Sequence, residues 1–209
     1  MVRRTSDRNA HSKPLACRGS IPSRSTSTPE AHSVPDQFCT THLNELIIAL
    51  RKLRNAGRTL VVGIEGHSTS GKTTLGKSLA IQFGAPHIGT DSYVDRDKDA
   101  DSYVGILDLP RFKAAVQAEL GKYDFLLIDG ICLRDTMAQC GLRVGVFVYC
   151  RRITRAGLWA DDPQNSARQG RPSRDDPSWV DWQSTDYHLR EHPVERADLV
   201  YDRHEDDAD

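Results

Sequence analysis

The sequence predicts an α/β fold in which a mostly parallel sheet of five strands lies between layers of helix. Three observations carry the prediction. Short apolar runs alternate with segments of helical period. A glycine-rich loop separates the first apolar run from a helix-forming segment. A fully apolar run, residues 125–128, is bounded by Asp124 and Asp129, as in a strand buried on both faces. The chain has 209 residues, enough for one ordinary domain with tails. A domain of that size buries a core without disulfide or metal staples.

Residues 1–36 are rich in Ser, Thr, Pro and Arg and poor in large apolar side chains. Such a segment cannot offset the entropy of ordering itself and reads as a disordered tail. An organelle transit peptide has a similar composition, but no amphipathic face shows here. Arg3 and Arg4 are followed by no apolar stretch, so a secretory or twin-arginine signal would lack its hydrophobic part.

A single domain is expected over residues 37–204. Leu43, Leu46, Ile47, Leu50 and Leu53 fall at helical spacing, and Gly57 is placed to end that helix. Residues 59–64 read as a buried strand and residues 73–83, beyond the glycine-rich loop, as a helix. Residues 87–89 form a short second strand. In the next helix, residues 109–120, Leu109, Phe112, Val116 and Leu120 share one face. Pro110 is tolerated in its first turn and Gly121 is available to end it. Residues 125–128, 144–149 and 199–201 complete the five strands. Between residues 158 and 192 the chain is polar, with Pro, Gly, Arg and three tryptophans. That is long for a simple connection, and a lid over about residues 151–190 is expected. Residues 205–209 form an acidic, solvated tail.

Bulk properties exclude several classes. The formal net charge is −1, which points to neither nucleic acid nor an anionic membrane. No apolar run approaches the length of a membrane span. The five cysteines (Cys17, Cys39, Cys132, Cys140 and Cys150) are odd in number and include no CxxC pair. Neither a disulfide framework nor a zinc site is indicated. Buried, reduced thiols in a cytoplasmic protein are expected.

The most specific signal is the run Gly66, His67, Ser68, Thr69, Ser70, Gly71, Lys72 and Thr73, followed by Thr74. Its spacing is Gly-x-x-x-x-Gly-Lys-Thr, the phosphate-binding P-loop. A phosphate chain needs several backbone N–H groups pointing inward and favours the N-terminus of a helix. Lys72 can reach the terminal phosphates and the Thr73 hydroxyl can ligate Mg²⁺. The loop alone does not separate GTPases, motor ATPases and small kinases. The late Asn-Lys-x-Asp signature of a GTPase is absent, and no Glu follows Asp129 as in motor ATPases.

The run from Val62 to Leu75 resembles the first strand and loop of the uridine kinase-like family of P-loop kinases. Gly89, Thr90, Asp91, Ser92 and Tyr93 resemble its second-strand motif, and Phe125 to Ile131 its third strand. Asp129 stands where that family usually has Glu. Arg152, Ile153, Thr154 and Arg155 resemble the arginine pair opening its lid, with Ala156 where an Asp often follows. Ala197 to Tyr201 resemble the approach to its last strand. The resemblance spans roughly residues 58–203, and its nucleoside-binding insertion has no evident counterpart between Tyr93 and Tyr123.

What the resemblance implies is an ATP-dependent, Mg²⁺-requiring kinase acting on a hydroxyl of a nucleoside, sugar or vitamin-like alcohol. A nucleotide hydrolase and a non-enzymatic nucleotide-binding regulator are the alternatives. Asp91 would accept the proton of the acceptor hydroxyl; an Asx cap for the following turn is its plainer role. Asp129 would hold Mg²⁺ with Thr73, directly or through water. Arg152 and Arg155, three apart and so on one face if helical, would stabilise the transferring phosphoryl. Arg168, Arg171 and Arg174 are rivals for that role. Tyr93 and Tyr103 are candidates to touch the acceptor, with packing as the alternative. Trp159 is a candidate to stack on adenine, and Trp179 and Trp182 to anchor the lid. His67 is expected to face solvent, and His188 and His192 to lie on the surface.

Overall fold

The computed structural model describes residues 37–54, 59–166 and 171–205. The expected tail (residues 1–36), the Gly57 helix stop, Arg168 and residues 206–209 lie outside them. The elements run β1 (Phe38–Thr40), α1 (Leu43–Arg54), β2 (Leu60–Glu65), α2 (Lys72–Phe83) and β3 (His87–Gly89). They continue with α3 (Leu109–Leu120), β4 (Phe125–Asp129), α4 (Leu133–Cys140), β5 (Val146–Ile153), α5 (Pro163–Ser166), α6 (Trp179–Glu191) and β6 (Leu199–His204). Short 3₁₀ turns occupy Thr90–Tyr93 and Val104–Ile106.

All pairings are parallel, in the order β1-β6-β5-β2-β4-β3. The α/β class is as expected, but the sheet has six strands rather than five. The additional strand is β1, which pairs with β6 at the edge through Phe38 opposite Leu199. Its three residues, Phe-Cys-Thr, are too few to show a period, and only Thr40 is buried. Helix α4 was also absent from the sequence reading. It is eight residues long, and its apolar side chains Leu133 and Met137 make a single turn of contact.

Strand alternation sorts the core into two faces. Val62 and Ile64 meet Leu46 and Leu50 of α1 and Leu75 and Leu79 of α2. Val61, Leu126 and Ile128 meet Phe112 and Val116 of α3 and Leu133 and Met137 of α4. Strand β4 is buried along its whole length, as a central strand covered on both faces must be. From β2 the chain leaves through α2 towards one edge; from β4 it returns through α4 across β2 to β5. Such a reversal opens a crevice beyond the C-terminal ends of β2 and β4, where open α/β sheets bind ligands.

The polar stretch 158–192 is not uniform. Its second half is α6, which buries Trp179, Ser184, Thr185, Tyr187 and His188. Trp179 and Tyr187 pack with Tyr103, Ile131 and Cys132. The expectation of a surface His188 is therefore corrected: its ring is 3% exposed. Nδ1 donates to the Ser184 carbonyl oxygen at 2.5 Å, so Nε2 accepts from the Tyr149 hydroxyl at 2.7 Å. Composition hid this helix because its buried Thr185 and His188 find their partners on other elements, His67 and Tyr149. His192 is exposed and caps α6 in the left-handed region at φ 47°. Among the described residues no helix is long and apolar enough to cross a membrane.

Candidate active site

The loop begins where β2 ends. At Gly66 the chain turns with φ 156°, and a Cβ there would lie 2.4 Å from the Cys150 carbonyl oxygen and 2.5 Å from Ser70 Oγ. Thr69 sits in the left-handed region at φ 65°, a conformation that a threonine adopts at a cost. The Ser70 N–H bonds the His67 carbonyl, and α2 starts at Lys72 with no side-chain cap. The first N–H groups of α2 are thus left for an anion, with the helix dipole behind them.

Lys72 is buried, and its Nζ donates to the His67 carbonyl oxygen at 2.7 Å. Burial pushes its ammonium below the usual lysine range, while Asp129, and behind it Asp91, pull the other way. An incoming phosphate would replace the carbonyl contact with a stronger, charge-assisted one.

Thr73 Oγ1 donates to Asp129 Oδ2 at 2.7 Å, and Asp129 is 2% exposed. The other carboxylate oxygen, Oδ1, lies 2.6 Å from His87 Nε2. A hydroxyl and a carboxylate side by side are hard oxygen donors that fit Mg²⁺, which keeps several waters and shares substrate phosphates. Among the described residues no three His, Cys, Asp or Glu side chains form a metal cluster. An ion held here would complete its shell with phosphate oxygens and water.

Asp91 follows β3 in the 3₁₀ turn and is exposed at the same end of the sheet. Its side-chain partner among the described residues is the Tyr103 hydroxyl, which donates to Oδ1 at 2.5 Å; no Asx cap forms. Ser68, Lys72, Thr73, Asp91, Val180 and Arg203 line a single cavity of about 310 Å³. A second cavity of about 550 Å³ opens beside His67, Ser68, Arg152, Asp161, Arg171 and Trp182.

The arginines depart from expectation. Arg152 lies on strand β5 and Arg155 in the turn that follows, so they do not share a helix face. Arg152 is paired with Asp161 at 2.7 Å, and both line the larger cavity. Arg171 also lines it, with its guanidinium 5.0 Å from the Trp182 ring. Arg174 binds Asp99 and the Lys98 carbonyl oxygen. Trp159 is half-buried, edge-on to Tyr149 at 6.1 Å and 5.9 Å from the Arg151 guanidinium. Tyr93 packs against Phe112.

His67 is the clearest correction within the loop. It is 7% exposed rather than solvent-facing. The Thr185 hydroxyl donates to the Asp181 carbonyl oxygen, so His67 Nε2 donates to Thr185 Oγ1 at 3.2 Å. The loop is thereby tied to α6. Burial lowers the His67 pKa, partly opposed by Asp161 and Asp181.

Several residues at the site were missed. Glu65, the last residue of β2, is buried and accepts from the Tyr187 hydroxyl and the Arg134 backbone N–H. Arg134 Nε stands 2.9 Å from its Oε2. Burial raises the Glu65 pKa, against the lowering effects of Arg134 and Tyr187. His87 and Arg203 were missed as well. Only Glu65 had a usable signal, a carboxylate on the last position of an otherwise apolar strand.

No protein-family model matches this sequence, and no curated protein matches it. Among solved structures, a possible uridine kinase from Bacillus stearothermophilus is similar at 20% identity and a TM-score of 0.49, over 77% of this chain and 99% of that one. Shikimate kinase from Acinetobacter baumannii, in complex with shikimate, is similar at 19% identity and a TM-score of 0.40, over 70% of this chain and 86% of that one. At such identities the likeness concerns backbone arrangement and assigns no substrate.

Proposed function

We propose that this chain is an ATP-dependent phosphotransferase that acts on a hydroxyl of a small molecule, with Mg²⁺. The observation that carries the reading is the shared cavity. Lys72, Thr73 and the helix N-terminus lie along it, and Asp91 stands at its side. Phosphoryl transfer asks for positioning and charge neutralisation more than for covalent chemistry. The loop amides and Lys72 would hold the phosphates. Mg²⁺, held by Thr73 and Asp129, would neutralise charge on the phosphate oxygens. Asp91, exposed beside them, would take the proton of the acceptor hydroxyl. An exposed carboxylate poised there favours a hydroxyl acceptor over water, because no Glu stands next to Asp129 to activate water.

The test begins with nucleotide binding. With Mg²⁺ and a non-hydrolysable ATP analogue, the protein should gain thermal stability by mass action, and Lys72→Ala should lose that gain. A panel of hydroxylated metabolites then identifies the acceptor. Asp91→Asn should keep nucleotide binding and lose transfer by at least about a hundredfold. Absence of nucleotide binding would sink the proposal. So would ATP turnover that needs no acceptor and is indifferent to Asp91→Asn.

A further inference from the structure

We propose that Tyr103 is a positioning residue that holds the Asp91 carboxylate in the orientation the transfer reaction needs. The inference rests on Asp91 being the proton acceptor. Asp91 sits in an exposed 3₁₀ turn, where an unrestrained side chain would sample several rotamers. Tyr103 removes that freedom. Its ring is 3% exposed, packed in the cluster with Trp179, Tyr187 and Ile131. Its hydroxyl emerges from this cluster onto Asp91 Oδ1 at 2.5 Å, with Thr90 Oγ1 3.5 Å away. Oδ1 is therefore occupied, and Oδ2 is the oxygen left for a substrate proton.

The phenol is itself held from the lid-side helix. The Tyr103 backbone N–H donates to Gln183 Oε1 at 3.4 Å, and Gln183 Nε2 donates to the Asp101 carbonyl oxygen at 3.3 Å. Helix α6 thus clamps residues 101–103, and those residues set the carboxylate. Lys72 attracts Asp91 across the groove, and Arg203 lines the same cavity. Asp129 is turned towards Thr73 and His87. A buried phenol that donates to one carboxylate oxygen fixes where the other points, so its loss should free the Asp91 side chain to turn.

The test uses full-length protein labelled with ¹³C at the aspartate carboxyl, and Asp91→Asn identifies the Asp91 signal. In Tyr103→Phe, which keeps the ring, the Asp91 carboxyl signal should move and broaden as the side chain gains rotamers. In otherwise wild-type protein the labelled hydroxyl-bearing ring carbon of Tyr103 should shift on Asp91→Ala, which removes the acceptor of its hydrogen bond. That second measurement decides the matter even where the phenylalanine variant does not fold. With uridine, ribose and pyridoxine as acceptor probes, Tyr103→Phe should lower kcat about tenfold and leave the KM for ATP unchanged. Unmoved Asp91 and Tyr103 signals with nucleotide binding intact overturn this inference alone. Loss of nucleotide binding in wild-type protein overturns the proposed function instead.

Discussion

At the scale of single residues, the site is a set of short polar contacts made where water is scarce. Asp129 shows how little slack there is. Its two oxygens are engaged by Thr73 and His87, and His87 in turn is wedged against α2. A Cβ on Gly76 would lie 2.5 Å from His87 Nε2. Replacing an interior helix glycine with alanine ordinarily stabilises by about 1 kcal/mol. Here the added methyl must push the imidazole off Asp129. Gly76→Ala is therefore expected to leave the urea midpoint close to wild type while raising the Mg²⁺ concentration needed for half-maximal transfer. A full gain in stability with an unchanged Mg²⁺ requirement would show that His87 does not hold the carboxylate. Residue patterns made the loop and Lys72 legible because phosphate binding demands a fixed spacing of glycine, lysine and threonine. They made Asp91 and Asp129 candidates because each follows an apolar strand. His87 and Tyr103 were illegible as partners. They reach the two aspartates from 42 and 12 residues away, and no local period encodes such a meeting.

At the scale of elements, α6 departs most from its sequence. A polar composition suggested a solvated lid, yet the helix buries Ser184, Thr185 and His188. Thr185 and His188 find partners on other elements and one turn back, which local composition does not report. Burial holds the His188 pKa down to about 4, from an ordinary 6.5. The folded state therefore keeps the ring neutral where the unfolded chain would take up a proton. Its contribution to stability is present above pH 6.5 and is lost as pH falls towards 4, by up to about 3 kcal/mol. His188→Asn should remove one proton from the pH dependence of the urea midpoint between pH 6.5 and 4. A variant that follows the wild-type slope throughout that window would contradict the buried neutral ring.

At the scale of the whole molecule, the sheet order follows from elements the sequence shows well. The fully apolar β4 had to be central, and the loop fixed β2 beside a helix N-terminus. The edge strand β1 and the short α4 stayed hidden, since three residues and a single apolar turn carry almost no periodic signal. The arginines were misread for a related reason. Strand β5 runs on to Ile153, past the expected end at Tyr149, and so carries Arg151 and Arg152 as strand residues. The same extension places Cys150 directly beneath the loop, with Sγ 3.2 Å from the Ser70 carbonyl oxygen. Burial pushes that thiol up to about 11 and closes it to solvent, so at neutral pH it should resist alkylation while the loop keeps its shape. The exposed Cys39 should react at once by comparison. The protein thus carries its own clock for loop opening. Maleimide labelling of Cys150, read peptide by peptide in a mass spectrometer, should slow further when ATP and Mg²⁺ are added, and a rate indifferent to nucleotide would mean that the loop does not tighten around phosphate.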